Sequence, residues 1–395
     1  MEAIELSQLV QRGESSAVQF KERIVKGTKN DAYDIAAEMV AFSNSQGGVI
    51  IIGVNDKTGA WCGLNFQEIQ ETNRLLANAA SENVKSPIAI VTETAAVNNH
   101  NIIVVTIKEG NDKPYKDNKG VIWIKNGSDK RRVVSNEEWA RLLQSSHNII
   151  ADEEAVNNTA FHDIDTGYFK KFLKKKTKKT LTGLKQTLPQ ALRNMSFAKD
   201  EKLTLAGLLL FGKNPQKYRP LFTVQCIAFV GNDIAGTQYR DSEPPFEGNL
   251  EELYAQTMNF IMRNLHKVQT EKSFNSIGQL EIPKEALEEL TANALIHRNY
   301  YIKSSVKVFI FDNRIEIISP GKLPNSLTAE KIKSGTSIAR NPILFSNARY
   351  MLPFTGVGSG VPRACAAYPQ IDFINEADKE TFTAVIHRKA LTITP

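Results

Sequence analysis

Apolar residues in the first 145 positions follow first helical and then strand spacing. The segment DAYDIAAEMVAFSNS (31–45) carries apolar residues three and four apart, which predicts an amphipathic helix. The Gly47-Gly48 pair interrupts it, and the apolar run VIIIGV that follows is typical of a buried strand. IAIVTETAAVNNHNIIVVTI predicts two strands joined at Asn98-Asn99. Strands outnumber helices here, as in an α+β domain.

A capping pattern predicts one more helix, because Ser135 is followed three residues later by Glu138 in SNEEWARLLQSS. Beyond it the chain becomes polar and basic, which indicates a domain boundary near residue 150. We therefore expect three parts, residues 1–150, 151–270 and 271–395.

The remaining two thirds alternate between helix and strand. LTLAGLLLFGKNP predicts an apolar helix that ends at Gly212 and Pro215, and EGNLEELYAQTMNFIMRNL predicts a long amphipathic one. PKEALEELTANALIHRNY predicts a further helix, and SVKVFIF and RIEIISPG predict strands paired around the Asp312-Asn313 turn. The predicted class is a multi-domain α+β protein.

Composition narrows the class of protein. The chain of 395 residues is 42% hydrophobic and 23% charged, which is ordinary for a globular protein. No apolar run reaches the roughly 18 residues that span a bilayer, and the N-terminus lacks a signal-peptide pattern. Three widely spaced cysteines have no metal-ligand spacing. We expect a cytoplasmic protein without a membrane partner.

The net charge of +6 favours a polyanionic partner. Seven lysines occupy residues 170–179, and this run is either a solvated helix face or a phosphate-contacting patch that includes Lys174 and Lys175. A second group of bases, Lys130, Arg131 and Arg132, lies in the segment NGSDKRRVV. Both groups are candidate nucleic-acid contacts.

A candidate nucleotide-binding site includes Glu289 and Asn293 in ELTANALIHRNY. These two residues are four apart and so share one helix face. An asparagine amide oxygen can ligate Mg²⁺, and a neighbouring glutamate can deprotonate a water. Gly321 ends the following strand pair, where backbone can approach a ligand. Glycines 356, 358 and 360 then open a helix whose backbone N–H groups suit phosphate, although a tight connection alone would explain them.

This ordered set resembles the GHKL ATPase family, and more narrowly the divergent GHKL-type module of bacterial transcriptional regulators. The segments ANALIHRNY, DNRIEIISPGKLP, ARNPIL and GVGSGVPR carry the resemblance over roughly residues 280–390. It implies a GHKL-like α/β sandwich that binds ATP and Mg²⁺. Asn293 would be the metal ligand, Glu289 the general base, and residues 322–355 the ATP lid.

One position departs from the wider family. The family places an aspartate two residues before the first-box glycine to hold the adenine amino group, whereas this chain has Ser319 before Gly321. A serine can still form a hydrogen bond but lacks the charge. We expect nucleotide binding, and treat turnover as an open question.

The N-terminal motif GESSAVQFK (13–21) contains Glu14, and Gln19 stands where a second carboxylate would help hold a metal. Together with IAAEMVAFSNSQGGVIIIGVNDKTGAWCGL it resembles the Schlafen/AlbA-type domain over residues 10 to about 145. In Schlafen-type RNA nucleases two glutamates and an aspartate bind metal, and the matching positions here are Glu14, Gln19 and Asp56. Lys21 is a candidate phosphate contact.

The expected protein is a bacterial regulator that binds nucleic acid, either DNA or RNA, and carries a nucleotide-binding module. Two alternatives are kept. One is a metal-dependent endonuclease that uses Glu14 and Asp56. The other is an ATPase whose first domain docks a protein partner. Whether the chain forms a homodimer is left open.

Overall fold

The computed structural model describes residues 3–25, 31–110, 112–135, 138–139, 142–143, 150–268, 279–324, 327–354, 356, 358–376 and 379–388. The chain divides into two compact units, which we call the N-terminal unit (residues 1–149) and the C-terminal unit (residues 150–395). Most of the helix predicted over SNEEWARLLQSS lies outside the described residues; within them, Ser135 Oγ accepts a hydrogen bond from the Glu138 N–H at 3.2 Å. No described helix is long and apolar enough to cross a membrane.

The described helices are α1 (Ala3–Arg12), α2 (Ala32–Asn44), α3 (Phe66–Ser81), α4 (Thr166–Thr177), α5 (Leu188–Asn194), α6 (Leu205–Phe211), α7 (Leu250–Arg263), α8 (Lys284–His297), α9 (Ala329–Lys333), α10 (Pro342–Asn347) and α11 (Gly360–Ala367).

The described strands are β1 (Val18–Lys21), β2 (Gly48–Ile52), β3 (Ile90–Val97), β4 (His100–Ile107), β5 (Trp123–Asn126), β6 (Asp129–Arg132), β7 (Ala198–Lys199), β8 (Lys202–Leu203), β9 (Val224–Phe229), β10 (Tyr239–Ser242), β11 (Lys267–Val268), β12 (Gln279–Leu280), β13 (Val306–Ile310), β14 (Arg314–Pro320), β15 (Ile371–Glu376) and β16 (Thr381–His387).

The N-terminal unit is built on a four-stranded sheet in the order β1-β2-β4-β3, parallel between β1 and β2 and antiparallel elsewhere. Asn98 and Asn99 join β3 to β4 with φ of 50° and 64°, left-handed angles that suit a tight two-residue hairpin. One apolar cluster includes residues of α2 and α3, and a second includes α1 residues. The sheet therefore has apolar packing on both faces.

The C-terminal unit contains a six-stranded sheet in the order β10-β9-β13-β14-β16-β15. Strand β9 pairs in parallel with β13, so a strand from the predicted middle region belongs to the same sheet as the last third of the chain. One apolar cluster runs from Ala151 to Ile386. The structure thus groups residues 150–395 into one unit and does not divide them near residue 270, because β9 hydrogen-bonds to β13.

Local sequence signals explain the helix that carries the candidate site. Pro283 stands at the N-cap of α8, where its missing N–H costs nothing. Residues on most sides of α8 are buried, including Leu287, Leu290 and Leu295. The multi-domain α+β class predicted from the sequence is confirmed.

Candidate nucleotide pocket and nucleic-acid surface

Glu289 and Asn293 lie one turn apart on α8, and their side chains contact each other. Asn293 Nδ2 donates to the Glu289 carbonyl oxygen at 2.8 Å and to Glu289 Oε1 at 2.7 Å. Both acceptors require the amide nitrogen on that side, so Asn293 Oδ1 keeps its lone pairs for another donor or a cation. Burial raises the pKa of Glu289, while the Asn293 hydrogen bond and the Arg363 charge oppose that rise.

Ser319 is buried on β14, and its O–H group donates to the Ala294 carbonyl oxygen of α8, with 3.0 Å between the two oxygens. Because the hydroxyl hydrogen is committed to this bond, the oxygen presents lone pairs and acts as an acceptor. A serine in this setting can accept a hydrogen bond from an amino group, as an aspartate would, but without its charge.

All seven residues predicted for nucleotide chemistry line one cavity, which we call the α8 pocket. It encloses about 980 Å³ of empty space including its open mouth. Its lining combines apolar and aromatic side chains with a few polar groups, as ligand pockets usually do. The predicted residues that line it are Glu289, Asn293, Ser319, Gly321, Gly356, Gly358 and Gly360.

Two of these glycines lie where a side chain would meet other atoms, the Glu289 carboxylate at Gly360 and the Asn299 backbone and Cβ at Gly321. A Cβ atom on Gly360, the first residue of α11, would lie 1.6 Å from Glu289 Oε1. Gly321 has φ of +109°, and a Cβ there would lie 2.6 Å from the Asn299 Cβ. Any larger residue at either position would have to move its surroundings.

The segment expected to form a lid, residues 322–355, has two parts. Residues 328–339 are half-buried or exposed, whereas Asn341, Leu344 and Leu352 are buried. Asn341 Nδ2 donates to the Ile296 and Arg298 carbonyl oxygens at 2.8 and 2.9 Å, which caps the C-terminal end of α8. The second part of the segment is therefore fixed to the helix that carries Glu289 and Asn293.

Two polar residues at the C-terminal end of α8 pack against aromatic rings, and His297 also lines the α8 pocket. The ring of His297 lies 5.4 Å from Phe345 and 6.3 Å from Phe354, and burial, aided by the Arg340 charge, lowers its pKa to about 4. Arg298 is buried between the rings of Phe222 and Tyr300, at 4.8 and 4.9 Å. Arg298 does not line the α8 pocket.

Glu14 and Gln19 meet in the N-terminal unit. Gln19 Nε2 and the Phe20 N–H both donate to Glu14 Oε1, the latter at 2.8 Å. Gln19 Oε1 accepts from Lys125 Nζ at 2.9 Å, and Lys125 also lies 3.5 Å from a Glu38 carboxylate oxygen. An ammonium group therefore already uses the amide oxygen that a metal would need.

Asp56 is exposed in the turn after β2. Burial raises the pKa of Glu14, and the negative charge of Asp56 raises it further. Within the residues that the structure describes, no three His, Cys, Asp or Glu side chains are arranged to hold a metal ion.

Most of the basic residues predicted to contact nucleic acid in the N-terminal unit form ion pairs with carboxylates. Lys21 pairs with Asp34 at 3.2 Å, and Lys130 pairs with Asp34 and Glu38 at 2.7 and 2.8 Å. Arg131 pairs with Glu138. Arg132 lies over the Trp123 ring at 5.3 Å and is exposed.

Lys174 and Lys175 are exposed on α4 in the C-terminal unit, and no ion pair involves either within the described ranges. The structure therefore places the predicted bases in two environments: in the N-terminal unit all but Arg132 are paired with carboxylates, whereas Lys174 and Lys175 face solvent on α4.

For three residues that shape these sites, the sequence did not reveal the partner that each one contacts. Asp152 accepts a hydrogen bond from the Leu344 N–H at 2.8 Å and so caps α10, and Asn341 caps α8. Lys125 is the third. Each acts on a partner far away in sequence, so only a comparison of many related sequences could have paired them.

Family models match both ends of the chain. Residues 14–134 match the family described as "Schlafen, AlbA_2", and residues 303–386 match the family described as "Putative ATP-dependent DNA helicase recG C-terminal", a HATPase-type model. The chain thus carries a Schlafen/AlbA_2 segment followed by a HATPase-type segment, which confirms the resemblance inferred from the motifs. No curated protein matches the chain.

Two solved structures match the chain at low identity. The DIP2311 protein from Corynebacterium diphtheriae is 20% identical with a TM-score of 0.45, and the match covers 96% of this chain and 76% of that one. The N-terminal domain of a RecG-related protein from Nitrosomonas europaea is 20% identical with a TM-score of 0.25, over 34% of this chain and 96% of that domain.

Proposed function

We propose that the chain is a nucleic-acid-binding regulator whose C-terminal unit binds ATP with Mg²⁺ in the α8 pocket. The observation that supports this most is the convergence in one cavity of seven residues from α8, from the end of β14 and the glycine after it, and from the glycines at the start of α11. Gly360 leaves no room for a side chain beside Glu289, and the donor set of one amide oxygen and one carboxylate suits a hard divalent cation.

Each residue has a role in this proposal. Asn293 Oδ1 ligates Mg²⁺, which when bound would neutralise phosphate charge. Ser319 Oγ accepts from the amino group of the base, and the first turn of α11 faces phosphate. Glu289, whose pKa burial raises, is a stronger base than a solvated glutamate and orients or deprotonates a water.

Calorimetric titration of the full chain with ATP and ADP, with Mg²⁺ or EDTA, tests the nucleotide assignment. Asn293→Ala should weaken ATP binding about tenfold or more in Mg²⁺ and much less in EDTA. Gly360→Ala should weaken binding in both, because its methyl group displaces Glu289. Gly183→Ala is the matched control, since a Cβ there meets only ordinary contacts at 3.5 Å or beyond.

Two results would contradict this proposal. The first is the absence of any nucleotide binding by the unmodified chain. The second is a Gly360→Ala protein that binds ATP as tightly as the Gly183→Ala control. Phosphate release measured on the same proteins separates binding from turnover, and Glu289→Gln should abolish release while it retains binding.

The nucleic-acid partner is tested by gel shift with RNA, duplex DNA and single-stranded DNA, in Mg²⁺, Mn²⁺ or EDTA. Denaturing each sample exposes cleavage. The regulator predicts shifted but intact nucleic acid. Metal-dependent cutting that is lost in Glu14→Ala and Asp56→Ala would support the endonuclease alternative in its place, and would mean that Lys125 does not exclude metal.

A further inference from the structure

The positive charge of the chain is concentrated in one short stretch. Residues 1–149 contain 17 Lys and Arg against 18 Asp and Glu, so their net charge is −1. Residues 166–199, which we call the basic segment, contain nine lysines, one arginine and no acidic residue. Without this segment the net charge of the chain would be −4 rather than +6. The basic segment thus accounts for the whole positive excess.

Helix α4 holds one side of the basic segment in place. Phe169, Phe172 and Leu173 are almost completely buried, with Phe172 5.7 Å from the Tyr350 ring. Lys176 Nζ donates to Asn347 Oδ1, at the end of α10, at 2.6 Å. The helix is therefore anchored on the C-terminal unit, and its outer side is a preformed surface.

The outer side of the basic segment is cationic and unneutralised. Lys171 is paired with Glu251 at 2.6 Å. Eight other lysines are exposed, and within the described ranges no acidic side chain forms an ion pair with any of them; they are Lys170, Lys174, Lys175, Lys176, Lys178, Lys179, Lys185 and Lys199.

Packing and capping do not account for so many like charges. Lysines in the last turn do favour the helix dipole. However, Lys170 and Lys174 are four residues apart on α4, as are Lys171 and Lys175, and like charges at that spacing destabilise a helix. An ordinary solvated helix face mixes both signs of charge, whereas this segment has a single sign over 34 residues.

We infer that the exposed lysines of the basic segment form a contact surface for the phosphate backbone of nucleic acid, located in the C-terminal unit. This inference rests on the proposed nucleic-acid partner and states where the backbone is held. The sequence also offered Lys21, Lys130 and Arg131 of the N-terminal unit as contacts for the phosphate backbone, but these side chains already pair with carboxylates.

A nucleic-acid partner explains the surface better than an anionic membrane. Helices that bind in a membrane interface present exposed apolar side chains for insertion. The large apolar residues of α4 are instead buried in the core of the unit. What remains on the outside is charge alone, which suits a regularly spaced row of phosphates.

The test is the salt dependence of binding of the full chain to a labelled 30-nucleotide single strand and a 30-base-pair duplex. The variant is Lys174→Gln/Lys175→Gln. The control is Lys57→Gln/Lys85→Gln, which makes the same change of net charge on exposed lysines of the N-terminal unit. Circular dichroism and thermal unfolding check that both proteins fold.

We expect the α4 variant to bind more weakly and to lower the magnitude of the slope of log K against log salt by about two, since each duplex phosphate contact contributes about 0.9. The control should bind like the unmodified chain. Equal binding by the α4 variant and the unmodified chain would overturn the inference and leave the nucleic-acid partner standing.

Two further outcomes separate the alternatives. If the unmodified chain binds no nucleic acid, the partner proposed above fails and this inference fails with it. Anionic phosphatidylserine vesicles form the last arm: binding to vesicles that depends on Lys174 and Lys175, with nucleic-acid binding unaffected, would overturn the inference in favour of a lipid surface.

Discussion

Two titratable side chains of the C-terminal unit, the buried Asp152 and the half-buried His297, have pKa values shifted in opposite directions. Burial raises the pKa of Asp152 from 3.8 to about 6, although hydrogen bonds from the Leu344 and Ile343 N–H groups oppose the shift. Burial lowers the pKa of His297 from 6.5 to about 4. Both residues connect to the segment around α10 that caps α8, so their protonation affects the support of the α8 pocket.

Asp152 should make the protein less stable as pH rises. The folded state holds the proton up to about pH 6 and the unfolded state releases it near 3.8, so this contribution is complete below pH 3.8 and is lost as pH rises through 6. Asp152→Asn should remove that dependence, which amounts to about 3 kcal/mol. Urea unfolding at several pH values between 4 and 7 measures it, and a constant difference between the two proteins would contradict the assignment.

His297 should have the opposite effect and make the protein less stable as pH falls. Its folded-state pKa is depressed, so its contribution is complete above pH 6.5 and is lost as pH falls toward 4. His297→Phe keeps a ring among Phe345 and Phe354 and should unmask the Asp152 dependence. In the unmodified protein the two contributions oppose each other between pH 4 and 6. A His297→Phe curve parallel to that of the unmodified protein would show that the ring is already protonated or exposed.

The N-terminal acidic site gives a further residue-scale prediction. Lys125 Nζ holds Gln19 Oε1 and lies near Glu38, so Mn²⁺ should not raise the melting temperature of the N-terminal unit. Gln19→Glu with Lys125→Ala restores a carboxylate and removes the competing ammonium, and it should gain Mn²⁺-dependent stabilisation. Gln19→Glu alone is the control. If Mn²⁺ stabilised the unmodified protein, Lys125 would not be blocking a metal site at Gln19.

At the scale of elements, α8 depends on a cap from a distant segment. Asn341 donates to two carbonyl oxygens at its C-terminal end. Asn341→Asp keeps the size but loses the donor, so we expect a loss of about 1–3 kcal/mol in the free energy of unfolding and weaker ATP binding. Asn313→Asp is the matched control, because Asn313 accepts from Arg314 through Oδ1, an oxygen that aspartate retains. Equal stability of the two variants would argue against the cap.

Elements with local signals were predictable from the sequence, and those fixed by distant contacts were not. The α8 helix follows from Pro283 and its apolar spacing, and the β3–β4 hairpin from its two asparagines. The pocket residues were also predictable, since their order along the chain carries the family pattern. The anchoring of α10 was not, because Asp152 and Leu344 are nearly two hundred residues apart. Likewise, the sequence does not reveal which lysines have carboxylate partners.

At the scale of the whole molecule, each unit has its own apolar cores. The clusters of the N-terminal unit and those of the C-terminal unit share no residue. We therefore expect two transitions in calorimetry. ATP with Mg²⁺ at 100 times its dissociation constant should stabilise only the C-terminal unit, by about 2.7 kcal/mol. An equal shift of both transitions would mean that the units unfold together.

The contact between Gly360 and Glu289 also limits how such a chain can change over evolutionary time. Because a Cβ at position 360 would lie 1.6 Å from Glu289 Oε1, the two positions form one steric choice although they are distant in sequence. An alanine at 360 would push the Glu289 carboxylate out of its present position unless a shorter side chain stood at 289, and either change would take the proposed general base out of its place in the pocket. Related sequences that are active should therefore keep both residues, and inactive ones should lose them together.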